Sequence, residues 1–186
     1  MAGLKLLVTG RPRAGKTTLV ERVIERLGGR LRLAGFTTGE ILDARGERCG
    51  FLVRTMDGAE AELARLRQGG QARAGASGPV RVGRYGVDLE AFERLALPEL
   101  ARRDADLLVI DEIGKMECAS GRFRRALEDA LDAPLTVLAT LGIGQFPFFQ
   151  ALRERPDVEL LTLTPRNREA LVEKVWGRLR EHGSLP

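Results

Sequence analysis

The sequence predicts an α/β chain: a mostly parallel central sheet with helices on both faces and some antiparallel strands added to it. Three observations carry this. Strand-like and helix-like segments alternate at both ends of the chain. Leu107-Leu108-Val109-Ile110 is an unbroken apolar run, as expected of a strand buried on both faces. The first strand-like run enters the first helix through a glycine-bearing turn, a connection typical of parallel sheets.

Residues 4–8 form a short apolar run that ends at Thr9-Gly10, and residues 17–27 carry Leu19, Val23, Ile24 and Leu27 at helical spacing. Gly28-Gly29 stops that helix. Two β-like runs, 36–42 and 49–55, flank the turn-forming Asp43-Ala44-Arg45-Gly46 and predict a hairpin. Met56-Asp57-Gly58 marks a further turn. The next segment, 59–67, reads two ways, because its Ala and Leu content favours helix while its position favours a third antiparallel strand. The interval 68–79 is rich in Gly, Ala and Ser and reads as a mobile loop. A helix is expected over 89–102, then a strand at 107–110, a helix at 123–131, a strand at 135–140, a short helix at 148–153, a strand at 158–162 and a closing helix at 168–180.

A length of 186 residues suits one domain, with 35–67 as an antiparallel hairpin or meander inserted in it. Hydrophobic residues at 44% and charged residues at 30% supply both a core and a solvated surface, which excludes a disordered chain. The net charge of +4 is spread along the chain; it suits phosphate-bearing ligands without demanding nucleic acid. Lysine is scarce, at positions 5, 16, 115 and 174, and arginine supplies the other basic residues. Cys49 and Cys118 lack the paired spacing of a metal or redox motif, so a reduced, cytoplasmic chain is expected. The stretch 133–152 is uncharged and long enough to span a membrane, but Pro134, Gly142, Gly144 and Pro147 interrupt it, and no membrane association is expected. A monomer is the starting expectation.

The strongest chemical signal is Gly10-Arg11-Pro12-Arg13-Ala14-Gly15-Lys16-Thr17, which fits G-x-x-x-x-G-K-[ST]. Glycines let successive backbone N–H groups curl toward phosphate oxygens, and the helix that follows aims its positive end at the same anion. Residues 10–17 and Thr18 are therefore the expected nucleotide contacts. In that scheme Lys16 is a point charge for the β and γ phosphates, and the Thr17 hydroxyl is a ligand for Mg²⁺. Asp111 follows the buried run 107–110, as a second Mg²⁺ ligand at a strand tip should, and Glu112 is placed to orient and deprotonate an attacking water. Without the glycine-rich turn, an Asp-Glu pair there would read as a solvated loop.

Several further motifs extend this reading. Ile110-Asp111-Glu112-Ile113-Gly114-Lys115-Met116-Glu117, Gly35-Phe36-Thr37-Thr38, Tyr85-Gly86-Val87-Asp88 and Leu163-Thr164-Pro165-Arg166-Asn167-Arg168, together with the phosphate loop, resemble the thermophilic, cancer-related nucleoside-triphosphatase family over nearly the whole chain. The resemblance implies a three-layer, RecA-like P-loop fold with added antiparallel strands. It also implies slow Mg²⁺-dependent hydrolysis of ATP, GTP and other nucleoside triphosphates. It makes Glu117 a second candidate for positioning water or metal, with a salt bridge to arginine as the structural alternative. Family members carry Pro and Gly where this chain has Arg11 and Arg13. Arg13 is thus a candidate internal arginine finger, and Arg11 an exposed side chain.

Other residues have paired readings. Thr140 either senses the γ-phosphate or caps locally; Asn167 and Arg168 either face the base or, for Asn167, cap the last helix; Lys115 either touches phosphate or braces its loop. Tyr85 and Phe146, Phe148 and Phe149 could stack on a base, though packing is the commoner fate of such residues. Two other functions share these motifs. One is a small nucleotide or nucleoside kinase with Arg73, Arg81 and Arg84 on a lid, and the other is an ATPase coupled to nucleic acid.

Overall fold

The computed structural model of the chain describes residues 3–67 and 80–182. The loop expected at 68–79 lies outside the described residues. Its elements in chain order are β1 (Lys5–Gly10), α1 (Lys16–Leu27), β2 (Leu33–Leu42), β3 (Arg48–Thr55), β4 (Glu60–Leu66), β5 (Val80–Val82), β6 (Tyr85–Val87), α2 (Leu89–Ala101), β7 (Leu107–Ile113), a 3₁₀ turn (Glu117–Ala119), α3 (Gly121–Asp132), β8 (Val137–Leu141), α4 (Pro147–Glu154), β9 (Val158–Leu163) and α5 (Arg168–Glu181). Among the described residues the strands form one nine-stranded sheet, ordered β5-β6-β4-β3-β2-β7-β8-β1-β9. From β2 to β9 all pairings are parallel; from β2 to β5 all are antiparallel.

β2 belongs to both halves. Its first residues, Leu33 to Thr37, run parallel to β7, and Phe36 to Leu42 pair antiparallel with β3. The antiparallel region therefore grows out of a core strand, and it continues beyond 67 through β5 and β6, whose three-residue length is too short to show a periodicity. The ambiguous 59–67 segment is strand, because pairing with β3 and burial of Leu63 and Ala64 outweigh its helix-favouring composition.

The parallel strands alternate between two apolar layers. Leu7, Leu108, Ile110, Val137 and Ala139 face a cluster completed by Phe92 of α2, Phe123 of α3 and Phe149 of α4. Leu6, Val8, Leu107, Val109 and Leu138 face α1 and α5 through Val20, Val23, Val172 and Val175. Both faces are apolar, which is why 107–110 shows no polar alternation. Phe36, Phe92 and Phe123 meet edge-on, with centroids 5.2–6.0 Å apart. Local signals start two of these helices: Asp88 accepts from the Ala91 N–H at the head of α2, and Ser120 from the Phe123 N–H at the head of α3. The uncharged 133–152 stretch divides into β8, a loop and α4, and no described helix is long and apolar enough to cross a membrane.

β7 is longer than its apolar run. Thr37 pairs with Asp111, so the two acids belong to the strand itself, just ahead of its last residue Ile113, and the register against β8 shifts between Ile110 and Ile113. The close β2–β7 contact depends on Gly35, which has φ +105°, and a Cβ there would lie 1.8 Å from the Val109 carbonyl oxygen. Gly35→Ala is expected to destabilise the fold by about 3 kcal/mol or more, read as a lowered midpoint in urea, since left-handed strain and a backbone clash add.

Candidate active site

The loop between β1 and α1 leaves the sheet beside the tips of β7 and β8. Gly10 sits against β9, with room for no Cβ: one would be 2.6 Å from the Leu163 carbonyl oxygen. The Ala14 N–H donates to the Arg11 carbonyl and closes the turn at 3.0 Å. Gly15, at φ +106°, begins α1 with no side chain capping it, which leaves the first N–H groups of the helix open to an anion. Arg168 braces the loop from outside: its Nε donates to the Ala14 carbonyl at 2.7 Å and Nη2 to that of Arg13 at 3.4 Å. Lys16 is buried, donates to the Gly10 carbonyl at 3.3 Å and lies 3.9 Å from Glu112 Oε1.

Asp111 is buried at the end of β7. Its Oδ1 accepts from the Thr140 hydroxyl at 2.5 Å, while Oδ2 is buried without a hydrogen-bond partner. Burial raises its pKa above the ordinary carboxylate value, against the lowering effect of the Thr140 and Thr17 hydroxyls and of Lys16. An unpartnered carboxylate oxygen beside the Thr17 hydroxyl fits a small, hard cation that takes oxygen donors. No cluster of three His, Cys, Asp or Glu side chains surrounds it among the described residues, so a cation here would complete its shell from ligand oxygens and water.

Glu112 projects into a cleft lined by Gly10, Pro12, Lys16, Lys115, Gly142 and Ile143. Burial raises its pKa, Lys16 lowers it and the neighbouring Asp111 raises it again, with a net rise. Glu117 does not line this cleft. It is buried in the 3₁₀ turn, its Oε2 pressed against Gly114, and it has no salt bridge to arginine among the described residues. Burial, aided by the charges of Glu112 and Asp111, pushes its pKa up to about 8 despite the backbone N–H groups of Glu117 and Gly114.

That shift has a consequence for stability. Below the ordinary value of 4.5, folded and unfolded chains both hold the Glu117 proton, and its contribution is fully present. As pH rises toward about 8 the folded chain retains the proton while the unfolded chain has released it, so the contribution is progressively lost. Wild-type stability is expected to decline over that window relative to Glu117→Gln, and urea titrations of both chains across pH 4 to 9 check the slope.

The remaining predicted residues separate into groups. Arg13, Gly15, Thr18, Arg22, Arg168 and Val172 line a second pocket, between α1 and α5, on the other side of the loop. Arg13, a non-glycine residue at φ +62°, takes the left-handed conformation that favours glycine, and it does not line the cleft that holds Glu112. Arg11 is exposed. Thr140 holds Asp111 instead of standing free for phosphate. Asn167 occupies the N-cap position ahead of α5, but its side chain makes no bond to the helix; its Oδ1 accepts from the Thr164 N–H at 2.8 Å and hydroxyl at 3.1 Å, and Nδ2 donates to the Thr162 carbonyl. Tyr85 is buried against Phe51, and Phe149 in the core. Arg81 donates to the Gly83 carbonyl and Arg84 lies over Tyr85, so both are engaged at the outer edge of the sheet, away from the loop; Arg73 lies outside the described residues. A residue without any sequence signal, Arg153, donates to the Gly142 and Gly144 carbonyls and fixes the loop after β8.

Comparison with known proteins shows the family. The profile of the family described as NTPase matches residues 5–176. Nucleoside-triphosphatase THEP1 of Thermotoga sp. strain RQ2 is 36% identical over 179 residues, covering 95% of this chain and 96% of that protein. The cancer-related nucleoside-triphosphatase homolog of Mus musculus is 36% identical over 181 residues, covering 91% of this chain and 93% of its own length. The crystal structure of THEP1 from Aquifex aeolicus superposes with a TM-score of 0.78 at 36% identity, covering 92% of this chain and 96% of that one.

Proposed function

The chain belongs to the NTPase family, the nucleoside-triphosphatases that include THEP1 and its cancer-related homologues, and from that premise we propose that it hydrolyses ATP, GTP and other nucleoside triphosphates to diphosphate and phosphate in the cleft beside Lys16. The observation that carries the reading is the meeting, at one end of a parallel sheet, of an uncapped helix N-terminus, Lys16, and the two carboxylates of Asp111 and Glu112.

Each residue then has a physical task. The N–H groups of residues 10–18 hold the polyphosphate, and Lys16 neutralises its β and γ oxygens. Thr17 and Asp111 would hold Mg²⁺, the ion supported by the unpartnered Asp111 oxygen and the neighbouring hydroxyl. When bound, that ion supplies charge neutralisation at the transferring phosphoryl group. Glu112, within reach of the cleft, orients the attacking water and takes its proton. Glu117, held protonated in its turn, supports the shape of the Gly114 backbone beneath Glu112 and acts as a positioning residue. Thr140 keeps Asp111 aimed; Thr140→Val is expected to raise the Mg²⁺ concentration for half-maximal turnover about 10–100-fold, as loss of a group that orients a metal ligand does, read from a metal titration of phosphate release.

Tolerance for several bases finds support on the other side of the loop. The α1–α5 pocket offers Leu19, Leu163 and Val172 as apolar surface and the guanidiniums of Arg13 and Arg168 as flat cations, with Arg22 paired to Glu169 beside them, a lining that favours any π-face over one base edge. We read the described sheet and the helices that cover it as one working domain that acts without a partner chain. The test is phosphate release from a panel of triphosphates with Mg²⁺, with and without nucleoside acceptors. Free phosphate from several bases is the expected result, and label transferred to an acceptor would replace this reading with a kinase.

A further inference from the structure

The cleft that holds Glu112 contains a second cation that the reading above does not use. Lys115 lines it together with Gly10, Pro12, Lys16 and Glu112. Among the described residues Lys16 is engaged, with the Gly10 carbonyl and Glu112, whereas Lys115 makes no hydrogen bond or ion pair. The surface arginines are different: Arg22, Arg26, Arg122 and Arg155, for example, are all paired with acids. An unpaired ammonium beside a carboxylate that serves water is a cation with its task still open.

The surroundings fix where it reaches. Lys115 follows Gly114 on the turn after β7, and its stem passes Gly144, where the absent Cβ would stand 3.9 Å from Cε. Gly144, at φ +125°, and Gly142 are pinned by the two bonds from Arg153, so the stem of the exposed Lys115 lies along a braced wall of the cleft it lines. Meanwhile Arg13, which the sequence singled out for the γ-phosphate, lines the opposite pocket.

We propose that Lys115 is a further catalytic residue of this triphosphatase, a lysine that approaches the γ-phosphoryl group from the side opposite the phosphate loop and stabilises the charge that spreads over its oxygens as the β–γ bond breaks. This rests on the hydrolase reading above. The bond from the bridging oxygen to the γ-phosphorus breaks and its electron pair leaves on the β-phosphate of the nucleoside diphosphate, while the water oxygen bonds to the γ-phosphorus and its proton passes to Glu112. Lys115 neither gains nor loses a proton; it supplies one point charge where negative charge becomes more exposed in the transition state than in the ground state.

The test compares Lys115→Met, which keeps most of the stem, with Lys115→Arg and wild type. Lys115→Met is expected to lower kcat about 10²-fold with KM little changed, the size seen when one preorganised charge-stabilising donor is removed. Affinity for ADP with Mg²⁺ stays at the wild-type value, while affinity for ADP, Mg²⁺ and aluminium fluoride together falls by a factor comparable to kcat, and Lys115→Arg recovers part of both. An equal loss of affinity for ADP with and without aluminium fluoride would assign Lys115 to loop bracing and overturn the proposal, as would wild-type kcat in Lys115→Met. A wild-type chain that turns over normally beside such a variant leaves the hydrolase reading intact; a wild-type chain that releases no phosphate from any triphosphate overturns both.

Discussion

Glu112→Gln is expected to lower kcat by about 10²–10⁴-fold, the range a positioned general base contributes, while nucleotide affinity stays near wild type. The asymmetry follows from where the side chain sits. Glu112 lies in the cleft, and its contact with the phosphate loop is the long ion pair to Lys16 at 3.9 Å. Glutamine keeps the volume and a carbonyl oxygen to hold the water but cannot take its proton. Loss of one negative charge beside Lys16 should if anything tighten triphosphate binding. Single-turnover phosphate release, paired with calorimetry using Mg²⁺ and ATP, separates the two effects; wild-type turnover in this variant would move the base to another group.

Lys16→Ala is expected to act on both. Removing a charge-assisted bond to phosphate costs about 1.5–3 kcal/mol, or about 10–100-fold in affinity. The same change removes a charge that grows in value as the γ-phosphoryl group departs, a further loss in kcat of about 10²–10³-fold. The structure adds a reason for severity. Lys16 is the positive neighbour of Glu112 and also lowers the pKa of Asp111, so its loss removes the charge that offsets both carboxylates beside the polyphosphate. Equilibrium binding and kcat/KM measured on one preparation give the two factors, and an affinity unchanged from wild type would exclude Lys16 as a phosphate contact.

The sequence displayed the parts of this molecule whose causes are local. The strand, loop and helix of residues 4–27, the apolar run of β7 and the hairpin of β2 and β3 all follow from side-chain period, turn residues or glycine, and their bounds agree to within a few residues. What it hid depends on contacts between distant segments. Thr140 and Asp111 meet only because β8 lies beside β7. The burial of Glu117 arises from packing of the 3₁₀ turn, and nothing in Met116-Glu117-Cys118 announces it. Lys5 is likewise buried at the start of β1, with its ammonium on the Ala133 and Leu135 carbonyls, although a lysine at a strand end reads as solvated. The arginine pair in the loop was visible as an oddity, but the side to which Arg13 turns was decided by its left-handed backbone and by the pocket between α1 and α5.

The tie from Arg168 to the carbonyls of residues 13 and 14 joins the beginning of the chain to its last helix across more than 150 positions. A shortened chain ending ahead of that helix would keep the full G-x-x-x-x-G-K-T signature and both acids, so a motif search would score it as intact. Its signature would nonetheless have lost the outside strut that sets its curvature. Competence to grip a polyphosphate is therefore a property of the two termini acting together, and a short signature at one end reports only half of it.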